Sequence, residues 1–132
     1  SVAFSHDGTL LVASGGAASE FGEVQIWDVA KRELVRSIKG SSDTFYGVSI
    51  TRDNRQVAVG CADKLVRVFN VADGVEVMRC DNHLDWVFGS AFSNDGLRLA
   101  TISRDKAAKL IDVATGHLID DINRTRDPLI CL

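Results

Sequence analysis

The 132-residue chain has no long apolar run. No stretch approaches the roughly 20 residues that a membrane-spanning helix needs, and the N-terminal residues lack the basic start and apolar stretch of a signal peptide. With 45% apolar and 25% charged residues, the composition is typical of a soluble globular protein with one ordinary core. We therefore expect a soluble protein that is not bound to a membrane, and the sequence predicts no particular compartment.

The chain also lacks a basic block. Fifteen Lys and Arg residues oppose eighteen Asp and Glu residues, which gives a net charge of −3 spread along the whole sequence. Proteins that bind DNA or RNA concentrate positive charge on one face, because the phosphate backbone dominates their affinity. This composition argues against a nucleic-acid partner.

Cysteine and histidine patterns for metals or haem are missing as well. The three cysteines, Cys61, Cys80 and Cys131, form no CxxC pair, and their odd number does not suit a disulfide framework. His6 and His117 have no further ligand types at metal-binding spacing. We expect no metal and no cofactor.

What the sequence does contain is an internal repeat. Trp27, Phe69 and Ile111 occupy one alignment column at a spacing of 42 residues, and we expect them at equivalent buried sites on third strands. Near the starts of the repeats the first spacing is 46, because the first repeat carries about four extra residues within "GGAASEFGE". A fixed period of this length is typical of repeat architectures, in which each unit is one supersecondary element. The aligned segments are "VAFSHDGTLLVASGG", "VSITRDNRQVAVGCAD" and "SAFSNDGLRLATISRD".

Each repeat predicts four short strands separated by turns. Asp-Gly or Asp-Asn follows every first strand, and these residues tolerate the left-handed backbone of tight hairpins. Short, evenly spaced strands predict an antiparallel all-β fold. The predicted first strands are 1–4, 47–50 and 89–92, the second 10–14, 56–60 and 98–102, the third 24–29, 66–71 and 108–113, and the fourth 34–38, 76–80 and 118–122.

Several segments resemble the WD-repeat β-propeller family, most strongly its bacterial members. They are "HLDWVFGSAFSNDG" from His83 to Gly96, "IWDV" from Ile26 to Val29, and "ATG" from Ala114 to Gly116. The resemblance covers the whole chain and implies four-stranded blades. We expect one propeller portion over residues 1–132 with approximate blades at 1–43, 44–85 and 86–126, and with 127–132 starting a further blade or an inter-chain connection.

The resemblance also implies a structural hydrogen-bond network within each blade. In the family, a histidine, a Ser or Thr of the second strand, an Asp of the following turn and the Trp of the third strand are linked. No repeat carries the complete set, since Ser41 and Phe69 replace the histidine and the tryptophan of repeat two, and Ile111 replaces the tryptophan of repeat three. The expected network residues are His83, Thr101 or Ser103, and Asp105 in repeat three, Asp63 in repeat two and Trp27 in repeat one.

A second group of residues predicts a contact surface. Tyr46 and Phe88 share a column just ahead of the first strands, with Trp86 nearby. Side chains alternate in direction along a strand, so one set there should face the blade interior. The other set should face the propeller opening, where family members usually bind partners. Large aromatics near a surface are favoured contact anchors, and Arg104 would lie on the same face. Packing of these aromatics between blades is the alternative.

Three blades do not close into a ring, since propellers typically have four to eight. An open arc would expose large apolar faces at both ends. Either the chain is part of a longer propeller, or copies associate head to tail. We favour a dimer that forms a six-bladed ring.

The resulting functional hypothesis is a non-catalytic scaffold that binds a protein or peptide on one propeller face. Ser, His and Asp residues suitable for nucleophilic catalysis occur in repeat three, but the resemblance assigns them to the blade's internal network. A purely structural assembly module is one alternative. A substrate- or metal-binding enzyme propeller is the other, although no inward acidic or histidine column repeats.

Overall fold

The computed structural model describes residues 1–122 and 127–128, and in this part of the chain it is all-β. None of the described segments forms a helix able to cross a membrane. Residues 123–126 and 129–132 lie outside the described residues, and with them Cys131 and most of the predicted connection at 127–132.

Within residues 1–122, twelve strands form three four-stranded antiparallel sheets, which confirms the predicted fold class. The first sheet contains β1 Val2–Phe4, β2 Leu10–Ala17, β3 Phe21–Asp28 and β4 Glu33–Ser41. The second contains β5 Phe45–Ile50, β6 Gln56–Cys61, β7 Val66–Asn70 and β8 Glu76–Cys80. The third contains β9 Val87–Phe92, β10 Arg98–Ser103, β11 Ala108–Asp112 and β12 Leu118–Ile122. Within every sheet the strand order follows the sequence.

The extra residues of the first repeat lengthen one hairpin. β2 and β3 each have eight residues and stay paired as far as Ala17 and Phe21. The equivalent strands of the second sheet have six and five residues. The insertion therefore extends a regular ladder rather than forming a separate loop.

The three sheets pack face to face around two apolar cores. The first core joins Val12, Val24 and Ile26 of the first sheet to Val57 and Phe69 of the second. The other core lies between the second and third sheets, and its buried members are Ala58, Val66, Val68, Met78, Cys80, Val87, Leu99, Ile111 and Val113. The second sheet is thus covered on both faces, which explains why almost every residue of β6 is apolar.

The first strands of neighbouring sheets approach each other closely, and β5 lies beside both β1 and β9. A Cβ atom added at Gly47 would come 2.5 Å from the Cα of Gly89, and one added at Gly60 would come 2.5 Å from the carbonyl oxygen of Val87. Glycine within a strand marks such close approach of two backbones. These two positions bring the inner edges of the second and third sheets together.

The tryptophan column is not buried uniformly. Phe69 and Ile111 are 2% and 0% exposed, as their shared column predicts, but Trp27 is only partly buried. Phe69 and Ile111 face a preceding sheet, whereas Trp27 lies beside Leu11 and Leu34 on the outer face of the first sheet. The expectation of equivalent burial is wrong for Trp27, because no sheet of the described part of the chain covers that face.

Candidate functional site

The aromatic side chains singled out in the sequence meet in one cluster across two sheets. The ring of Tyr46 in β5 lies 5.4 Å from the ring of Phe88 in β9 and 6.1 Å from that of Trp86. The rings of Trp86 and Phe88 are 6.4 Å apart and nearly perpendicular. These separations and tilts are those of favourable aromatic pairs. We call these three residues the aromatic cluster.

Strand alternation explains why these rings reach the surface. Phe45 and Val87 are buried in the cores, while their neighbours Tyr46 and Phe88 point the other way and are partly exposed. Trp86 precedes β9 and keeps 41% of its surface accessible. The sheet contact at Gly47 then brings Tyr46 to the two rings of the third sheet.

The backbone on both sides of the cluster is fixed by hydrogen bonds. The hydroxyl of Ser14 in the first sheet donates to the carbonyl oxygen of Tyr46. The amide of Trp86 donates to Asp85 Oδ1 at 2.8 Å, and the hydroxyl of Ser103 donates to the carbonyl oxygen of Asp85 at 3.0 Å. All three sheets therefore contribute to holding the aromatic cluster in place.

Arg104 completes the surface from the turn between β10 and β11. Its backbone amide donates to the carbonyl oxygen of Trp86 at 2.9 Å, and its guanidinium carbon lies 5.2 Å from the centre of the Trp86 ring. Its Nε atom is 3.9 Å from Asp85 Oδ2. A guanidinium over an indole face is a cation–π arrangement, which orients the cation. The structure thus brings together all four residues that the sequence suggested for partner contact.

The histidine network of the third sheet lies beneath this surface. His83 Nδ1 is 2.9 Å from Asp105 Oδ2, and His83 Nε2 is 2.8 Å from Thr101 Oγ1. The amides of Leu84 and Ala107 also donate to the Asp105 carboxylate. Of the two hydroxyls considered from the sequence, Thr101 is the one that contacts His83.

This Thr–His–Asp arrangement has the contacts of a hydrolytic triad but not its exposure. Thr101 is 0% exposed and the His83 side chain is also fully buried. A nucleophile must reach a substrate carbonyl, and Thr101 has no route to one in this position. The arrangement serves as an internal brace of the sheet.

Burial sets the protonation state of His83. Desolvation lowers the pKa of His83 below its ordinary value, and this outweighs the opposing effect of the nearby Asp105 carboxylate. The neutral ring then donates from Nδ1 to Asp105 and accepts at Nε2 from the Thr101 hydroxyl. Burial would raise the pKa of Asp105, but the hydrogen bonds from Leu84, His83 and Ala107 outweigh it and lower that pKa.

The second sheet uses an arginine that the sequence analysis missed. Arg67 of β7 is 4% exposed and donates to both oxygens of Asp63, from Nη1 at 3.0 Å and from Nη2 at 2.5 Å. Its Nε lies 3.5 Å from Glu76, and Ser41 donates to Asp63 at 3.0 Å. Burial would raise the pKa of Asp63, but hydrogen bonds from Arg67, Cys61 and Leu65 lower it to about 2.

A signal for this ion pair was present in the sequence. Gln25, Arg67 and Lys109 share one column, so each third strand carries a polar residue among apolar neighbours. Lys109 is also nearly buried, and its Nζ lies 3.3 Å from Asp121 on the adjacent strand. A charged residue in a strand that is buried on both faces predicts a buried partner.

Trp27 does not take part in a network of the expected kind. Its indole nitrogen donates to Gln25 Oε1 at 3.3 Å. The position equivalent to Thr101 in the first repeat is Ala13, which has no hydroxyl. The assignment of Trp27 to the structural hydrogen-bond network is therefore wrong, because the first repeat has no hydroxyl at the position of Thr101 that could accept from the indole.

Among the described residues, no group of three or more His, Cys, Asp or Glu side chains is arranged to hold a metal ion. Cys61 and Cys80 are buried thiols outside any disulfide. Burial raises the pKa of both thiols, so both stay protonated and act as small core residues.

Comparison with a family model identifies two repeats of the type described as WD domain, G-beta repeat. They match residues 32–70 and 74–112. The first match runs from the start of β4 to the end of β7, and the second from just before β8 to the end of β11. Each family repeat therefore joins the fourth strand of one sheet to the first three strands of the next.

Three relatives illustrate the similarity. A WD repeat-containing protein of Synechocystis sp. is 32% identical over 76% of this chain, and the WD repeat and SOCS box-containing protein 1 of Danio rerio is 32% identical over 83%. The U3 small nucleolar RNA-associated protein 21 homolog of Schizosaccharomyces pombe is 31% identical over 86%. The aligned regions span 29%, 26% and 12% of these relatives, so the chain corresponds to less than a third of each.

The two matched segments cover more than half of the chain, and they coincide with the repeating sheets, so the chain belongs to the WD40 family of WD-domain, G-beta repeat proteins.

Proposed function

We propose that this chain is a non-catalytic scaffold that binds a protein or peptide through the aromatic cluster and Arg104. The observation that carries the proposal is the partly exposed Trp86, whose ring contacts two further aromatics and a guanidinium. Binding energy at protein interfaces concentrates in a few aromatic and arginine anchors. A cluster already fixed by hydrogen bonds loses little conformational entropy when a partner binds.

Membership of the WD40 family supports an interaction role, and the relatives' names are consistent with it. The name of the Danio rerio relative joins WD repeats to a SOCS box, and the fission yeast relative is named for its association with U3 small nucleolar RNA. No activity is stated in these names. The Synechocystis relative is consistent with the predicted resemblance to bacterial members of the family, and the Danio rerio relative is equally identical.

A peptide-display selection tests this function. Random peptides would be selected on the wild-type chain and counter-screened on a Trp86→Ala variant. We expect the selected peptides to bind the wild type and to lose most of their affinity for the variant. Trp27→Phe is the matched control, because Trp27 is an accessible aromatic outside the aromatic cluster. Peptides that bind wild type and Trp86→Ala equally well contradict the proposed site.

We also propose that the outer faces of the first and third sheets are covered by further blades. Cys80 of the second sheet is 7% exposed, whereas its equivalent in the third sheet, Ile122, is 54% exposed. On the first sheet, Phe4 and Leu34 are likewise exposed. Each uncovered Å² of apolar surface costs about 25 cal/mol, which favours association.

A head-to-tail dimer that forms a six-bladed ring is the favoured arrangement, and further repeats of a longer polypeptide are the alternative. In either case the chain would be a building unit as well as a binding surface. Light scattering on a size-exclusion column distinguishes the two arrangements. A peak near twice the 14.3 kDa chain mass supports the dimer, and a stable monomer contradicts it.

A further inference from the structure

The surface around the aromatic cluster carries cationic side chains whose donor atoms are not all engaged. Arg104 and Lys64 occupy equivalent turns of the third and second sheets, and within the described part of the chain the Arg104 Nη atoms and the Lys64 ammonium have no hydrogen-bond partner. Both groups therefore remain able to donate to an incoming acceptor.

The acidic residues at the same end of these two sheets already accept hydrogen bonds from other groups. Asp63 accepts from Arg67, and Asp105 accepts from His83 and two backbone amides. Asp43 accepts from the amides of Ser19 and Thr44, and Asp85 accepts from that of Trp86. Glu20 lies in the turn between β2 and β3 of the first sheet, whereas the aromatic cluster lies on the second and third sheets.

The stacking of Arg104 on Trp86 prepares it for a carboxylate. A planar guanidinium binds a carboxylate through two parallel hydrogen bonds, and its orientation is set beforehand by the indole ring and by Asp85. In the second sheet, Ala62 and Thr44 stand at the positions of Arg104 and Trp86. The pair of Arg104 and Trp86 therefore occurs in only one of these two equivalent places, so the surface is asymmetric.

Apolar surface lies directly beside the cation. Leu84 is 80% exposed and Trp86 is 41% exposed, so a ligand that reaches Arg104 also covers apolar groups. From the apolar contact and the unpaired donors we infer that the surface binds an acidic peptide segment in which an Asp or Glu side chain stands next to a large apolar residue. The inference rests on the proposed function and specifies the partner's chemistry.

Fluorescence anisotropy with three short amidated peptides tests this inference. The peptides are identical except for one position between a leucine and a phenylalanine, which holds Glu, Gln or Lys. We expect the Glu peptide to bind about tenfold more tightly than the Gln peptide, because a charge-assisted bidentate pair adds roughly that much affinity. The Lys peptide should bind most weakly.

Variants of the protein test whether Arg104 causes the preference for Glu over Gln. Arg104→Gln should remove the preference for Glu over Gln while leaving the contact of the apolar residues, and Arg104→Lys should restore only part of it, since an ammonium lacks the planar fork. Arg52→Gln removes the same charge from the turn between β5 and β6 at the opposite end of the sheets, and it should change nothing. Circular dichroism would check that the exposed substitutions leave the fold intact.

Three results would overturn the inference: equal or tighter binding of the Lys peptide, no binding of any of the three peptides, or an unchanged Glu preference in Arg104→Gln. The display selection separates this failure from failure of the proposed function. Trp86-dependent peptides without acidic residues would refute the acidic partner and leave the binding site standing. Trp86-independent peptides would refute the site itself.

Discussion

The second and third sheets place an aspartate at the same turn position and satisfy it with different chemistry. Asp63 is held by the charged guanidinium of Arg67, with Ser41 at the histidine position. Asp105 is held by the neutral ring of His83 and by two backbone amides. The second and third repeats therefore share the carboxylate, but its partner is ionic in one sheet and neutral in the other.

The ionic partner Arg67 and the neutral partner His83 differ in the desolvation free energy that their burial requires. A buried ion pair must offset the desolvation of both charges, and removing one member leaves the other uncompensated. A neutral histidine brings no second charge, and its loss leaves a carboxylate that still accepts two amide hydrogen bonds. We therefore expect the second sheet to be the more sensitive to loss of its partner.

The largest effect should follow from Arg67→Ala, which leaves Asp63 without its main donor. We expect the free energy of unfolding to fall by about 3 to 5 kcal/mol, the usual range for breaking a buried pair. Urea denaturation measures this. Arg79→Ala is the matched control, because Arg79 is about half exposed and pairs with the same Glu76, so its loss should cost about 1 kcal/mol or less. Equal losses in both variants would contradict the buried pair.

His83→Ala should have the next largest effect. The change opens a cavity and removes one donor from Asp105, so we expect a loss of about 2 to 4 kcal/mol in urea denaturation. His117→Ala, at an exposed turn, should be nearly neutral. If His83→Ala lowers the free energy of unfolding as much as Arg67→Ala does, the second sheet is not the more sensitive to loss of its partner, which contradicts our expectation.

Thr101→Val should cost less, about 1 to 2 kcal/mol, because the volume is kept and only one hydrogen bond to His83 is lost. Combining Thr101→Val with His83→Ala tests whether the two act together. The combined loss should be smaller than the sum of the single losses, since both remove the same contact. Strict additivity would show that the two side chains do not interact.

The smallest effect is the pH dependence that separates the two sheets. Burial lowers the pKa of His83 below its ordinary value of 6.5, so the unfolded chain binds this proton more readily than the folded one. Stability should therefore fall as the pH drops below about 6.5. Asp63, with its pKa lowered to about 2, keeps its contribution until the pH falls below the ordinary value of 3.8.

Unfolding curves at pH 7 and pH 5 isolate the contribution of His83 to the pH dependence of stability. His83→Ala should lose part of the difference in stability between these conditions, and Arg67→Ala should keep it. His6 and His117 are present in both variants and cancel from the comparison. An unchanged pH dependence in His83→Ala would show that the ring titrates alike in the folded and unfolded chains.

The sequence predicted the sheets well because their signals are local. Alternation, turn residues and the 42-residue period depend only on neighbouring positions, and every predicted strand overlaps an observed one. The network around His83 followed from family resemblance rather than from local pattern. The Arg67 pair was missed, because the side of a strand that a charged residue faces depends on the packing of the sheets.

What the sequence alone determined was the repeating unit: four strands, their turns, and which residues share a column. Only the tertiary structure decided the environment of each column. Phe69 and Trp27 are equivalent in sequence, yet one is buried between sheets and the other is partly open. The aromatic cluster likewise exists because Gly47 lets β5 approach β9. Burial and contact between sheets arise from groups distant along the chain, so a local pattern cannot specify them.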